Sequence, residues 1–472
     1  MSRRAPTGRT RTAPALGGRP SPTAGAAMTP PPPPDDGAPP RPEGPGGTPP
    51  GPWHGWLPRP ARLLLPLVLP ALLIGVASSL VLLAVTWVAD RLEGVLWSTV
   101  PRALGVSGTS GGWTIAVLTA AGLAVGLVVW RFPGGTGPDP ATRGLVDPPL
   151  PPTVLPGVLT AAVIGLASGV SLGPENPITS VNVALAVALG MRALPRVPGT
   201  AWAALAAAGT VGAMFGTPVA AALLLSEVAG PPDPRPLWDR LFAPLVAAGA
   251  GALTTVLADA PTFALDLGPR PDLRPVDGLT AMAVASVCAL VGLVAVALLP
   301  YSHRLFHRLR HPVAVLACGG LVLGLLGALG GRITLFKGSE QMRELTGDPA
   351  AYTAAGLALI VAVKLVALVV AASCGFQGGR IFPAVFIGVA LGMLAHAVAG
   401  SVPLALAVPA AVLGVLLATT RQGWLSLFMA AVVGSDIALL PLLCVAALPG
   451  WLLVTGRPLM QVAPGKAPAG AG

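Results

Sequence analysis

Two apolar stretches of this chain are each interrupted by a glycine–proline break, and the two interruptions match. The first reads Gly173-Pro174-Glu175-Asn176-Pro177 and leads into the apolar run 181–190. The second reads Gly378-Gly379-Arg380-Ile381-Phe382-Pro383 and leads into 384–392. Each has the form G-x-x-x-P followed by a helix-forming tail that ends Ala-Leu-Gly. Irregular backbone at membrane depth survives only where protein shields it or water reaches it. Breaks that recur in both halves of a membrane chain point to a binding site near the bilayer midplane. A helix starting there aims unpaired N–H groups and the positive end of its dipole inward, which suits an anion. The pattern therefore predicts an anion-conducting membrane protein.

Composition supports the membrane class. Of 472 residues, 53% are hydrophobic and only 10% charged, and the mean hydropathy is +0.75. A water-facing surface needs more charge than that, so the chain reads as an all-α polytopic membrane protein. The 60 glycines and 54 prolines are too many for a bundle of long straight spans and imply broken or re-entrant helices. The net charge of +10 lies in the N-terminal segment and in loops, without a stripe of interleaved aromatics. It fits cytoplasm-facing loops and not nucleic-acid binding. Cys288, Cys318, Cys374 and Cys444 sit in apolar sequence without C-x-x-C spacing, which predicts free packed thiols.

Residues 1–60 are rich in Pro, Gly, Ala and Arg and include the run Pro30 to Pro34. They predict a disordered cytoplasmic tail, because they cannot bury enough apolar surface to fold. A membrane domain is expected over 61–464, with halves at about 61–231 and 237–464 divided by the polar segment around Pro232–Pro236, then a short tail, 465–472. Helices are placed at 62–90, 113–131, 153–170, 176–192, 200–213 and 218–229, then at 238–258, 276–300, 312–330, 353–373, 383–399, 403–418, 424–433 and 437–455. Several fall short of the ~20 residues that cross a bilayer, so they are tilted, paired or half-spanning. His303, His307 and His311 repeat at i, i+4 and i+8, but arginines interleave and no acidic residue is near them in sequence. They read as a basic interfacial helix, with no metal site expected.

At the two breaks the chain resembles the CLC family of chloride channels and chloride/proton antiporters. The family's G-S-G-I-P segment looks like Gly135-Thr136-Gly137-Pro138-Asp139, and its S-L-G-R-E-G-P segment like Ser171-Leu172-Gly173-Pro174-Glu175-Asn176-Pro177. F-N-A-P corresponds to Phe215-Gly216-Thr217-Pro218, G-G-I-F-x-P to Gly378–Pro383, and G-K-P-L-Y to Gly456-Arg457-Pro458-Leu459-Met460. The five lie in the family's order and span about residues 62–462. The combination G-P-D-P, G-P-E-N-P and G-G-R-I-F-P resembles a bacterial branch of ion-channel and ion-transport proteins. The resemblance implies two inverted repeats, a homodimer with one pore per subunit in the cell membrane, and no cofactor beyond the transported anion. Cytoplasmic termini are expected.

An ionisable group inside a membrane segment is costly and marks function, and Glu175 is such a group. In the resemblance it matches the glutamate gate, whose carboxylate occupies the anion site when ionised. Backbone amides are the expected anion ligands, with glycines letting the backbone approach closely. The candidates are Gly173 and the amides around Pro174–Asn176 on one side, and Gly379, Arg380 and Ile381 on the other. Thr136, beside Gly137, keeps the hydroxyl of the family serine. Met460 replaces the family tyrosine and cannot donate a hydrogen bond. Arg380 stands where the family has an apolar residue, so it either adds positive field or snorkels to the interface. Lys364, in apolar sequence, is expected to face a water-filled vestibule or an acidic partner.

Antiporters of the family carry a second acid in F-N-A-P-x(8)-E-E. Here that count reaches Glu227 and then Val228. The missing acid and Met460 favour a passive channel over proton-coupled antiport. A rival class comes from Gly169-Val170-Ser171-Leu172-Gly173, a G-x-S-x-G pattern that would suit an intramembrane serine hydrolase. That chemistry needs a histidine base, and His396 is the only histidine deep in apolar sequence. Fluoride, nitrate and bicarbonate stay open as cargo alongside chloride.

Overall fold

The computed structural model describes residues 59–228, 235–260, 263–269 and 274–463, and of Arg59 to Leu63 the backbone alone. Residues 1–58 of the expected tail 1–60, the tail 465–472, and most of the segment around Pro232–Pro236 lie outside the described residues.

Helices account for nearly all the regular structure. The first half holds α1 (Arg59–Gly94), continued by a π-helical turn into α2 (Val100–Ala103), then α3 (Gly111–Arg131), α4 (Leu155–Ser168), α5 (Glu175–Ala193), α6 (Gly199–Phe215), α7 (Pro218–Glu227) and α8 (Leu237–Leu257). The second half holds α9 (Pro275–Phe306), α10 (Pro312–Gly330), α11 (Ser339–Gly347), α12 (Ala354–Ser373), α13 (Ile381–Val398), α14 (Leu404–Thr420), α15 (Gly423–Val433) and α16 (Leu440–Val454). Among the described residues, eight helical stretches are long and apolar enough to cross a membrane, and five shorter apolar helices accompany them. All fourteen helices read from the sequence are found. Helix α11 was not foreseen, because its sequence, SEQMRELTG, is polar and only Gln341, Met342, Leu345 and Thr346 face inward.

Packing repeats between the halves. Helix α1 packs on α6 and α8 as α9 packs on α14 and α16, and α5 packs on α6 as α13 packs on α14. Likewise α7 packs on α6 and α8 as α15 packs on α14 and α16. Counterparts also meet across the halves: α3 lies on α10, and α7 on α15. The third such meeting is an isolated antiparallel bridge between Gly173 and Gly379, the leading glycines of the two breaks. An antiparallel pairing of equivalent residues is what a two-fold axis between the halves produces, and it establishes the two inverted repeats. Lipid supplies no hydrophobic drive between helices, so close backbone approach matters more. A Cβ on Gly75 would lie 2.2 Å from Ala247 O, and one on Gly251 would lie 2.3 Å from Gly209 O, so α1, α6 and α8 touch backbone to backbone.

Candidate functional site

The bridge between the halves builds the site. Gly173 N–H donates to Gly379 O at 2.9 Å and Gly379 N–H to Gly173 O at 2.7 Å. Two residues beyond each glycine a helix begins, α5 at Glu175 and α13 at Ile381, so two helix N-termini converge in the protein interior.

Glu175 is fully buried and reaches across from α5 to the start of α13. Its Oε1 accepts the amide of Ile381 at 2.6 Å and that of Phe382 at 3.3 Å. The first amides of a helix have no partner within the helix and carry the positive end of its dipole. A carboxylate oxygen therefore sits where a small anion would be bound. The other oxygen, Oε2, is buried with no hydrogen-bond partner. The leading glycines make the space: a Cβ on Gly379 would lie 2.1 Å from Glu175 Cδ, and one on Gly173 would lie 2.0 Å from Glu175 Oε2.

Of the expected amides, that of Ile381 donates to Glu175, and the amide of Phe382 joins it. Helix α13 starts at Ile381, not at Pro383 as the sequence suggested, so Ile381 and Phe382 supply the donors to Glu175. The Phe382 ring joins a cluster with Phe263 (4.7 Å between centroids) and Phe215 (5.7 Å), which walls this side of the site. The Phe215-Gly216-Thr217-Pro218 segment thus takes part through packing. It also borders a cavity of 470 Å³ lined by Phe215, Thr217 and Ala431 among others. Pro174 caps α5, while Asn176 is half-buried with its carbonyl accepting the Ser180 hydroxyl.

Arg380 does not run to an interface. Its guanidinium donates to the carbonyls of Pro140 (3.0 Å), Ala141 (3.1 Å) and Met460. Val462 N–H also donates to Ala141 O at 2.9 Å. The loop carrying Thr136 and Gly137 is thereby joined to the C-terminal Gly456–Met460 segment and to the start of α13. Thr136 and Met460 are both buried. Arg380 places a fixed cation within electrostatic reach of Glu175.

One expectation fails. Lys364 faces neither a vestibule nor an acid: its fully buried ammonium donates to the carbonyls of Thr334 (3.1 Å), Leu335 (3.0 Å) and Phe336 (2.7 Å). It also lies 4.9 Å from the Phe386 ring centroid. The group fastens the 332–336 turn onto α12. Glu227 Oε1 accepts the Trp424 amide at 3.0 Å and so caps the start of α15, and Val228 is exposed.

The nucleophile-elbow reading finds no support in the geometry. Ser171 Oγ is buried without a hydrogen-bond partner, and His396 Nδ1 is engaged 2.7 Å from Val402 O. A serine nucleophile needs its base within hydrogen-bond reach. The four cysteines are free, as the sequence suggested.

Comparison with known proteins agrees with this geometry. A family model described as "Voltage gated chloride channel" matches residues 121–453. Two Escherichia coli sequences, from O1:K1 / APEC and from strain K12 / DH10B, are each named "Putative ion-transport protein YfeO". Each is 51% identical over 402 residues, covering 85% of this chain and 96% of the relative. The fold is similar to that of a slow cyanobacterial Cl−/H+ antiporter (TM-score 0.69, 15% identity, 86% of this chain and 97% of that one). It is also similar to that of a CLC-type fluoride/proton antiporter (TM-score 0.67, 21% identity, 83% and 95%).

Proposed function

Because the chain belongs to the voltage gated chloride channel family, we propose that it carries chloride or a similar small anion across the cell membrane, with the Glu175 carboxylate as the gate. The carrying observation is that Glu175 Oε1 holds the first amides of α13 while Oε2 is left without a partner. An ionised carboxylate competes with a free anion for the same amides. Protonation removes that charge, and a raised anion concentration displaces it. Either change frees the helix terminus for the passing ion, so selection comes from oriented amides and two helix N-termini.

Passive conduction is the reading favoured for coupling. Val228 stands where antiporters of the family carry an acid, Glu227 is occupied in capping α15, and Met460 offers no hydroxyl. Proton-coupled exchange is the second reading, since the two solved structures of similar fold are antiporters by their titles. A homodimer with one pore per subunit and cytoplasmic termini complete the proposal.

The experiment is anion efflux from liposomes holding purified protein, with internal pH recorded under an imposed chloride gradient. Efflux without proton movement supports the channel. Efflux that drives protons uphill replaces it with the exchanger, and no flux of any halide overturns the transport reading for these anions.

A further inference from the structure

The sequence gives His303 and His307 no acidic neighbour, but the fold supplies one from 164 residues away. Asp139 ends the Gly135–Asp139 segment, and its Oδ2 lies 2.7 Å from His303 Nε2 and 3.6 Å from His307 Nε2. The two imidazoles, one helical turn apart at the end of α9, stack with centroids 3.8 Å apart and 20° between planes. Both Nε2 atoms therefore face the same carboxylate oxygen, and the three ligand atoms lie within 4.8 Å of one another. His311 is not part of the group, because α9 ends in a 3-10 turn at His307 and His311 packs against Trp130 instead.

Outer atoms of Asp139 and His307 are already fixed. Asp139 Oδ1 accepts the Ala141 amide at 2.9 Å. His307 Nδ1 lies 3.0 Å from the His303 carbonyl, and because a carbonyl only accepts, the proton is on Nδ1. In the neutral ring, Nε2 then presents a lone pair to a carboxylate oxygen, two acceptors facing each other. A cation between them turns that repulsion into two bonds. A histidine whose other nitrogen donates to a carbonyl is the usual arrangement around a metal.

We propose that Asp139, His303 and His307 bind a divalent transition-metal ion of the zinc class. Two imidazole nitrogens and one carboxylate oxygen suit such an ion and not the hard oxygen-seeking cations. With bonds of about 2.0 Å, tetrahedral ligand atoms stand about 3.3 Å apart. The His307–Asp139 spacing is near that value. The His303–Asp139 pair opens by about 0.6 Å from its 2.7 Å contact as the shared proton leaves, as is general when a metal replaces protons on its ligands. His307 is 40% exposed and Asp139 29%, so an ion has an entry path and solvent fills its remaining position. The ion would tie α9 to the loop that carries Thr136 and whose Pro140 and Ala141 carbonyls hold Arg380.

The test is calorimetric titration of tag-free, detergent-solubilised full-length protein with zinc chloride, repeated with cobalt(II) to read the visible spectrum. One zinc per chain and a tetrahedral cobalt spectrum are expected. His303→Ala and His307→Ala should each weaken binding at least about tenfold, since even an outer partner of a metal ligand is worth that much. His311→Ala and His54→Ala should leave it unchanged. Because His307 is partly exposed, its alanine variant is expected to fold like the parent. No saturable zinc binding, or binding that survives the His303→Ala/His307→Ala double change, would overturn the proposal. The titration reads metal alone, so its outcome does not depend on whether the protein conducts anions.

Discussion

Glu175 and Ile381 lie 206 residues apart in sequence, yet the carboxylate of one accepts the amide of the other at 2.6 Å. That bond joins the first helix of one break to the first helix of the other. It places a titratable group on the terminus that the anion needs.

Replacing Glu175 by Gln removes the charge while keeping the shape. A hydrogen bond to a charged group is worth about 1.5–3 kcal/mol, so the neutral side chain should yield the site readily. Anion efflux at neutral pH is expected to rise about tenfold, equivalent to about 1.4 kcal/mol. In the parent, efflux should increase as pH falls, because protonation releases the carboxylate. In Glu175→Gln that dependence should flatten. Stopped-flow efflux between about pH 5 and 8 checks both, and an unaltered pH profile in the variant would remove the gate.

Gly379→Ala tests the space around the carboxylate. Gly379 is not in a positive-φ conformation, so the new methyl group meets the Glu175 side chain, 2.1 Å from Cδ, without backbone strain at position 379. Expulsion of the carboxylate should raise efflux in the same direction as Glu175→Gln. Combining the two changes should add little, since they act on one contact. Fully additive effects would show that Gly379 acts elsewhere.

Arg380 has a structural and an electrostatic part, which separate on substitution. Arg380→Met removes the guanidinium from the carbonyls of Pro140, Ala141 and Met460; the first two keep the amides of Arg143 and Val462, so the Met460 carbonyl bears the loss, at about 1–3 kcal/mol for an unsatisfied buried group. A fall in Tm and slower efflux are both expected. Arg380→Lys keeps the charge but not the planar fork. It should recover efflux more fully than Tm, as a thermal-unfolding assay in detergent beside the flux assay can measure.

Lys364→Met should act on folding alone. Its ammonium serves three carbonyls of the 334–336 turn, so its loss is expected to lower stability by about 2–4 kcal/mol. Efflux per correctly folded molecule should stay at the parent value. Slower efflux from the folded fraction would return Lys364 to the anion path.

Much of this architecture follows from local pattern. The helices α5 and α13 are legible because a glycine–proline break followed by an apolar run constrains backbone in any lipid setting. Glu175 is legible because a lone acid in such a break has few other uses. Boundaries are less so: helix α13 starts two residues earlier than the sequence suggested, at Ile381, so that the amides of Ile381 and Phe382 become the donors to Glu175.

What the sequence by itself determined is the membrane class, the run of helices, the matching of the two breaks and the place of a lone acid, Glu175, in one of them. These depend on composition and on periodicity within a few residues. The tertiary structure alone decided where the long polar side chains end. Arg380 stops at the Pro140, Ala141 and Met460 carbonyls, Lys364 at a turn thirty residues before it, and Asp139 beside His303 of α9 and His307 of the turn that follows it. Inside a membrane each such group must find a partner, but any of many backbone carbonyls or distant side chains would serve chemically. Only the packing of the two repeats about the Gly173–Gly379 bridge selects among them.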